Sequence, residues 1–167
     1  MADASHILFV GIGSPHGDDQ IGWRVADELT NLTSQVDRQE HEDLEKWQVR
    51  KAKSPVDVLN WLDSRGLIRR LIICDACRSA ATHGGVGTGT VHCWIWPTEE
   101  LESIQFTGSH DMGIAAVLDL ARTLDRLPPK IDIWGIEIDS VEPAADISAC
   151  LEHTASLAAQ RIAWSTR

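Results

Sequence analysis

The chain has 167 residues, 43% of them hydrophobic, enough for one domain with its own core. That composition excludes a disordered or low-complexity chain, and apolar runs such as Ile7-Leu8-Phe9-Val10 are too short to span a bilayer. A formal net charge of −10 argues against nucleic acid and anionic membrane surfaces as partners.

The first residues, Met1-Ala2-Asp3-Ala4-Ser5-His6, lack the basic start of a signal peptide, so a cytoplasmic protein is expected. Residues 6–12 form a nearly continuous apolar run, which suits a strand covered on both faces. Gly11 and Gly13 break that run, and Asp18-Asp19 leads into a helical period of Ile21, Val25, Leu29 and Leu32. Residues 34–45 read as loop, with a solvated acidic run at 37–43. Residues 47–52 suit a second strand. Ser54-Pro55 predicts a second helix with Val58, Leu59 and Leu62 on its apolar face and Gly66 at its end. Residues 71–75 give the strongest buried-strand signal, and residues 89–96 follow as a fourth strand. No helical pattern separates these two, so the fourth is expected to be antiparallel and at an edge. A long loop over 97–108 leads to Ser109 as a helix cap. Ile114, Val117, Leu118, Ala121 and Leu124 mark that helix, and Leu127-Pro128-Pro129 stops it. Residues 131–136 predict a fifth strand and 147–163 a last helix, with Trp164 packing its end. The seven tryptophans are expected in the core rather than at an interface.

Strands alternating with helices over residues 1–167, without linker or repeat, predict a single α/β domain. The expected architecture is a three-layer α/β/α sandwich around a mostly parallel five-stranded sheet with one antiparallel edge strand. Ligands of such sheets bind beyond the carboxyl ends of the strands. Loops at 13–19, 75–88 and 97–110 should share that edge.

Several motifs there can carry chemistry. Gly11-Ile12-Gly13 after a first strand resembles part of a dinucleotide fingerprint, but His16 replaces the third glycine and Asp18-Asp19 would repel a pyrophosphate. Cys74 and Cys77 form a C-x-x-C. A thioredoxin-like pair, or a zinc site recruiting His83, His92 or Cys93, is weighed against a buried strand residue at 74 and a loop residue at 77, which is preferred. One of Asp18 and Asp19 suffices to cap a helix, leaving the other for the sheet edge. Asp75 ends an apolar strand, where a carboxylate must be hydrogen-bonded, paired or metal-bound. His110 is expected to open a helix, whose dipole favours neutral imidazole, a metal ligand. His16, close to Asp18, is the next participant. Two carboxylates and an imidazole suit nickel, zinc, manganese or iron and leave coordination positions open. There is no G-x-S-x-G elbow.

With these motifs the chain resembles the hydrogenase maturation endopeptidases, which trim a C-terminal extension from the precursor large subunit of nickel–iron hydrogenases. The matching segments, in order, begin with Ile7-Leu8-Phe9-Val10-Gly11-Ile12-Gly13, Gly17-Asp18-Asp19, and Gly22 with Val25-Ala26. They continue with Leu71-Ile72-Ile73-Cys74-Asp75-Ala76, Gly89-Thr90-Val91, Ser109-His110 with Gly113, and Trp134-Gly135-Ile136-Glu137. The resemblance implies that Asp19, Asp75 and His110 contact a metal, with Asp19 and Asp75 as the candidates for general base; Asp18 and His16 are candidate auxiliaries from their position beside Asp19. It implies nickel delivered by the precursor, with zinc or another divalent cation as a surrogate, and the precursor large subunit as partner. The chain departs from the family at Ser14-Pro15-His16, where Asn and an apolar pair are usual, and at Asp19, often Glu. It departs again at Lys53-Ser54-Pro55-Val56-Asp57, where a Gly-rich segment is usual. A metal-dependent hydrolase with another substrate and a non-catalytic metal- or partner-binding module stand as alternatives. The sequence specifies no oligomeric state.

Overall fold

Side-chain alternation divides the first strand, β1 (His6–Ile12), between two cores. Ile7 and Phe9 face one side of the sheet, and Leu8, Val10 and Ile12 face the other. Burial on both faces is why this strand reads as one unbroken apolar run. The computed structural model describes residues 6–36, 46–62, 67–79, 87–107, 112–139, 141–143 and 145–166.

The sheet continues with β2 (Lys46–Ala52), β3 (Ile68–Ser79), β4 (Val91–Ile95), β5 (Ile104–Phe106) and β6 (Lys130–Glu137). Its order is β2-β1-β3-β6-β4, with β5 paired to the end of β3. The β1–β2, β1–β3 and β3–β6 ladders are parallel, whereas β4 and β5 run antiparallel to β6 and β3. Helices α1 (Ile21–Val36) and α3 (Ala149–Ser165) cover one face and pack on each other. The other face is covered by α2 (Ile114–Thr123) and by short 3-10 turns at Pro55–Asn60 and Glu99–Ser103. The result is the expected mostly parallel three-layer sandwich, with β4 as an antiparallel edge strand.

The differences from expectation are local. Among the described residues the sheet has six strands, because residues expected as loop contain β5, whose three residues are too few to show a pattern. Ser54 starts a helical turn with a capping box to Asp57, but it is a six-residue 3-10 turn and not a full helix. The third expected helix begins at Ile114 with Gly113 as its cap, later than Ser109 and His110, which lie outside the described residues. Gly66 and the acidic run at 37–43 lie outside them as well. Trp94 and Trp134 are buried, but Trp164 is 73% exposed and does not close the core.

Two contacts fix the layers. At the N-terminal ends of the strands, Arg70 on β3 donates to buried Asp132 on β6 from Nε and Nη2, each at 2.5 Å, and to the Ser165 carbonyl at 2.9 Å. Towards the opposite end, Gly11 and Gly22 let α1 lie against the sheet. A Cβ on Gly22 would sit 2.0 Å from the Ile12 carbonyl oxygen and 2.7 Å from that of Cys74. Gly11 and Gly22 therefore serve strand–helix packing.

Candidate active site

Beyond β1 the chain makes a tight turn. Gly17 takes φ +52°, and a 3-10 turn over Gly17–Gln20 precedes α1. The turn is held from both sides. Asp19 N–H donates to the His16 carbonyl at 3.1 Å and Ser14 N–H to the Asp19 carbonyl at 3.3 Å. Gly17 N–H and the Gln20 side chain both donate to the Ala145 carbonyl, at 2.9 and 3.1 Å. The two aspartates then do different work. Asp18 Oδ1 accepts the Ser148 N–H at 2.9 Å, so it restrains the cap of α3 rather than that of the helix it precedes. Asp19 is only 5% exposed, and its two oxygens accept hydroxyl hydrogen bonds, Oδ2 from Ser14 and Oδ1 from Thr107. His16 is exposed, and its backbone carbonyl accepts the Asp19 N–H.

Asp75 does not end its strand, because β3 runs on to Ser79. The ladder to β1 stops at Gly11 opposite Cys74, so Asp75 begins the stretch of β3 that β1 no longer flanks. It is fully buried, and its Oδ1 accepts the Ala76 N–H at 2.8 Å. Thr107, directly after β5, links the turn carrying Asp19 to the backbone of β3 beside Asp75. Its N–H donates to the Ala76 carbonyl at 3.1 Å while its hydroxyl bonds to Asp19. Asp19 is thereby held beside the residue that follows Asp75. His110 lies outside the described residues, and among the described residues no three His, Cys, Asp or Glu side chains could hold a metal ion. What the described structure shows is two buried carboxylates, Asp19 and Asp75, with Thr107 bonded to the first and to the backbone next to the second. Both are oxygen donors and each oxygen can accept more than one contact, a donor set that fits a divalent cation.

Sequence reading missed the hydroxyls that orient Asp19. Ser14 falls where the chain departs from the family pattern, and this departure supplies a donor to the site. It also missed a polar patch next to the pair. Glu137, 4% exposed, lies across the ladder from Cys77, and its Oε1 is 3.1 Å from Nε2 of His92, whose ring stacks on Trp94 at 5.2 Å. The signal for Glu137 was the one used for Asp75, a carboxylate in an apolar strand. Cys77 is a buried strand residue, not a loop residue. Three positions along an extended strand put Cys74 and Cys77 on opposite faces, which excludes a redox pair or a shared zinc in this conformation. Burial, with the nearby Glu137 and Asp75 adding to it, pushes the Cys77 thiol well up. An open groove of about 420 Å³ runs along β5 to the start of α2, lined by Leu101, Ile104, Phe106 and Ile114 among others.

No protein-family model matches the sequence, and no curated protein does. Solved structures match over nearly the whole chain. The [NiFe] hydrogenase maturation protease HybD from Thermococcus kodakarensis is 16% identical, with a TM-score of 0.66 over 97% of this chain and 99% of its own. The hydrogenase maturating endopeptidase HybD from E. coli is 20% identical, with a TM-score of 0.63 over 96% and 91%. The endopeptidase HycI from Escherichia coli is 17% identical, with a TM-score of 0.66 over 96% and 91%. At these identities the likeness defines the fold, and the fold is the one these maturation proteases share. No described helix is long and apolar enough to cross a membrane.

Proposed function

We propose that the chain is an endopeptidase that removes the C-terminal extension of a [NiFe]-hydrogenase large-subunit precursor. The observation that carries this reading is the pair of bonds from Thr107 to Asp19 and to the Ala76 carbonyl beside Asp75, in a fold shared end to end with hydrogenase maturation proteases. His110 follows Thr107 by three residues, so chain length alone keeps its Cα within about 11 Å of Thr107. That reach supports it as the third member of the site.

In this reading Asp19, Asp75 and His110 recognise nickel already carried by the precursor, and zinc or another divalent cation can stand in for it. The chemistry such a cation supplies is polarisation of the scissile carbonyl. The chain's own part is to hold that carbonyl near its two carboxylates, one of which takes a proton from the attacking water. Asp19, oriented by Ser14 and Thr107, and Asp75, oriented by the Ala76 N–H, are the candidate bases. The groove along β5 offers Leu101, Ile104, Phe106 and Ile114 to the side chains of an extended substrate segment, and Thr107 directly follows β5.

The test is cleavage of purified nickel-loaded precursor, followed by mass spectrometry. Asp19→Ala, Asp75→Ala and His110→Ala should each abolish the product while the circular dichroism spectrum stays native. Wild-type cleavage by all three would end the proposal. Metal binding by the wild-type protein without any product would favour a non-catalytic module instead.

A further inference from the structure

We infer that Thr107 is a positioning residue that sets the spacing of the two acids, and this rests on the proteolytic reading above only for its kinetic consequence. The residue makes two connections that no other described residue combines. Its backbone N–H is bonded to the Ala76 carbonyl at 3.1 Å, which anchors it to β3 next to Asp75. Its hydroxyl donates to Asp19 Oδ1, on the other side of the site. One short side chain therefore spans from the strand carrying Asp75 to the turn carrying Asp19.

The hydroxyl also has a second acceptor. Thr107 Oγ1 lies 3.3 Å from the Ala76 carbonyl oxygen. A hydroxyl has one proton and rotates freely about its C–O bond. It gives that proton to the carboxylate, the stronger acceptor, while Asp19 awaits a ligand. When Asp19 Oδ1 turns to a cation or a substrate proton, the hydroxyl can turn to Ala76 without leaving a buried donor unpaired. The cost of freeing Asp19 is thereby reduced to the exchange of one hydrogen bond for another. Ser14 restrains the opposite oxygen but does not reach β3 in the same way, so it orients Asp19 without fixing its distance from Asp75.

Thr107→Val keeps the branched shape and removes the hydroxyl, whereas Thr107→Ser restores the hydroxyl on a smaller frame. Crystal structures of both variants, without precursor, should show the Asp19 carboxylate turned away in Thr107→Val and in place in Thr107→Ser. Steady-state cleavage of nickel-loaded precursor should show kcat reduced roughly 10–100-fold in Thr107→Val with KM unchanged, as for loss of a supporting partner at a metal-binding site, and recovered in Thr107→Ser. An Asp19 carboxylate that keeps its place in Thr107→Val, or a Thr107→Ser variant as impaired as Thr107→Val, would overturn the inference. The crystallographic arm needs no precursor, so it separates failure of this claim from failure of the proteolytic reading.

Discussion

Gly22→Ala tests the contact that seats α1 and, with it, Asp19. A methyl group there would lie 2.0 Å from the Ile12 carbonyl oxygen, 2.7 Å from that of Cys74 and 2.9 Å from the Ile12 nitrogen. Ordinary contact begins at 3.4 Å, so the worst overlap is about 1.4 Å. All three atoms belong to the backbone of β1 and β3, in the middle of the sheet, and cannot rotate aside. The helix must lift, and its packing on β1, β3 and α3 loosens with it. Overpacking of this kind costs about 3 kcal/mol, the upper end of the usual range, because no flexible side chain can absorb it. The gain in helix propensity from Gly to Ala returns about 1 kcal/mol, so a net loss near 2 kcal/mol is expected. For a domain of this size that is a fall in Tm of roughly 4–8 °C. Urea unfolding followed by circular dichroism measures the loss, with Gly87→Ala as control, since no described residue lies within 4 Å of the Cβ it would add. Gly11→Ala should behave like Gly22→Ala, and the double variant should lose less than the sum, because both glycines serve one contact. A Gly22→Ala protein as stable as the Gly87→Ala control would refute the argument.

Three further outcomes follow from an ion pair and from the cysteines. Asp132→Ala leaves Arg70, largely buried, without its partner, and should cost about 3 kcal/mol and lower Tm by roughly 6–12 °C, with precursor cleavage at low temperature kept because the pair lies at the far end of the strands. Cys93 and Cys150 should react with an aromatic disulfide reagent in the native protein while buried Cys74 and Cys77 react only on unfolding. Burial, with Asp75 and Cys77 adding to it, holds the Cys74 thiol far above its ordinary range. The stability it contributes is complete below the unfolded thiol pKa of about 8.5 and declines as pH rises towards the folded value, so denaturation curves from pH 8 to 10 should fall less steeply for Cys74→Ala.

The sequence made the parallel core legible because burial on both faces leaves strands uniformly apolar. Residues 6–12 and 71–75 carried that signature, and both lie inside observed strands. What escaped were elements stabilised by tertiary contact instead of by pattern. The three residues of β5 exist as a strand because the end of β3, unflanked by β1, offers them a partner. The helix expected from Ser54 is a 3-10 turn, although its capping signal is identical to that of a longer helix.

The same distinction holds within the site. Asp75 was legible because a carboxylate in an apolar strand needs a specific environment, and Glu137 obeys the same rule without having been selected by it. Asp19 could be singled out only as one of a pair. Its neighbour Asp18 was separated from it by the loop before α3, whose Ser148 N–H draws one carboxylate away and leaves the other to turn inward. Thr107 carried no signal at all, since a threonine at the end of an expected loop is ordinary. Its place arises from β5, the strand the pattern could not reveal, because pairing of β5 with β3 delivers the following residue to Asp19 and to the Ala76 carbonyl at once. The least legible strand of the sheet is therefore the one that sets Thr107 against Asp19.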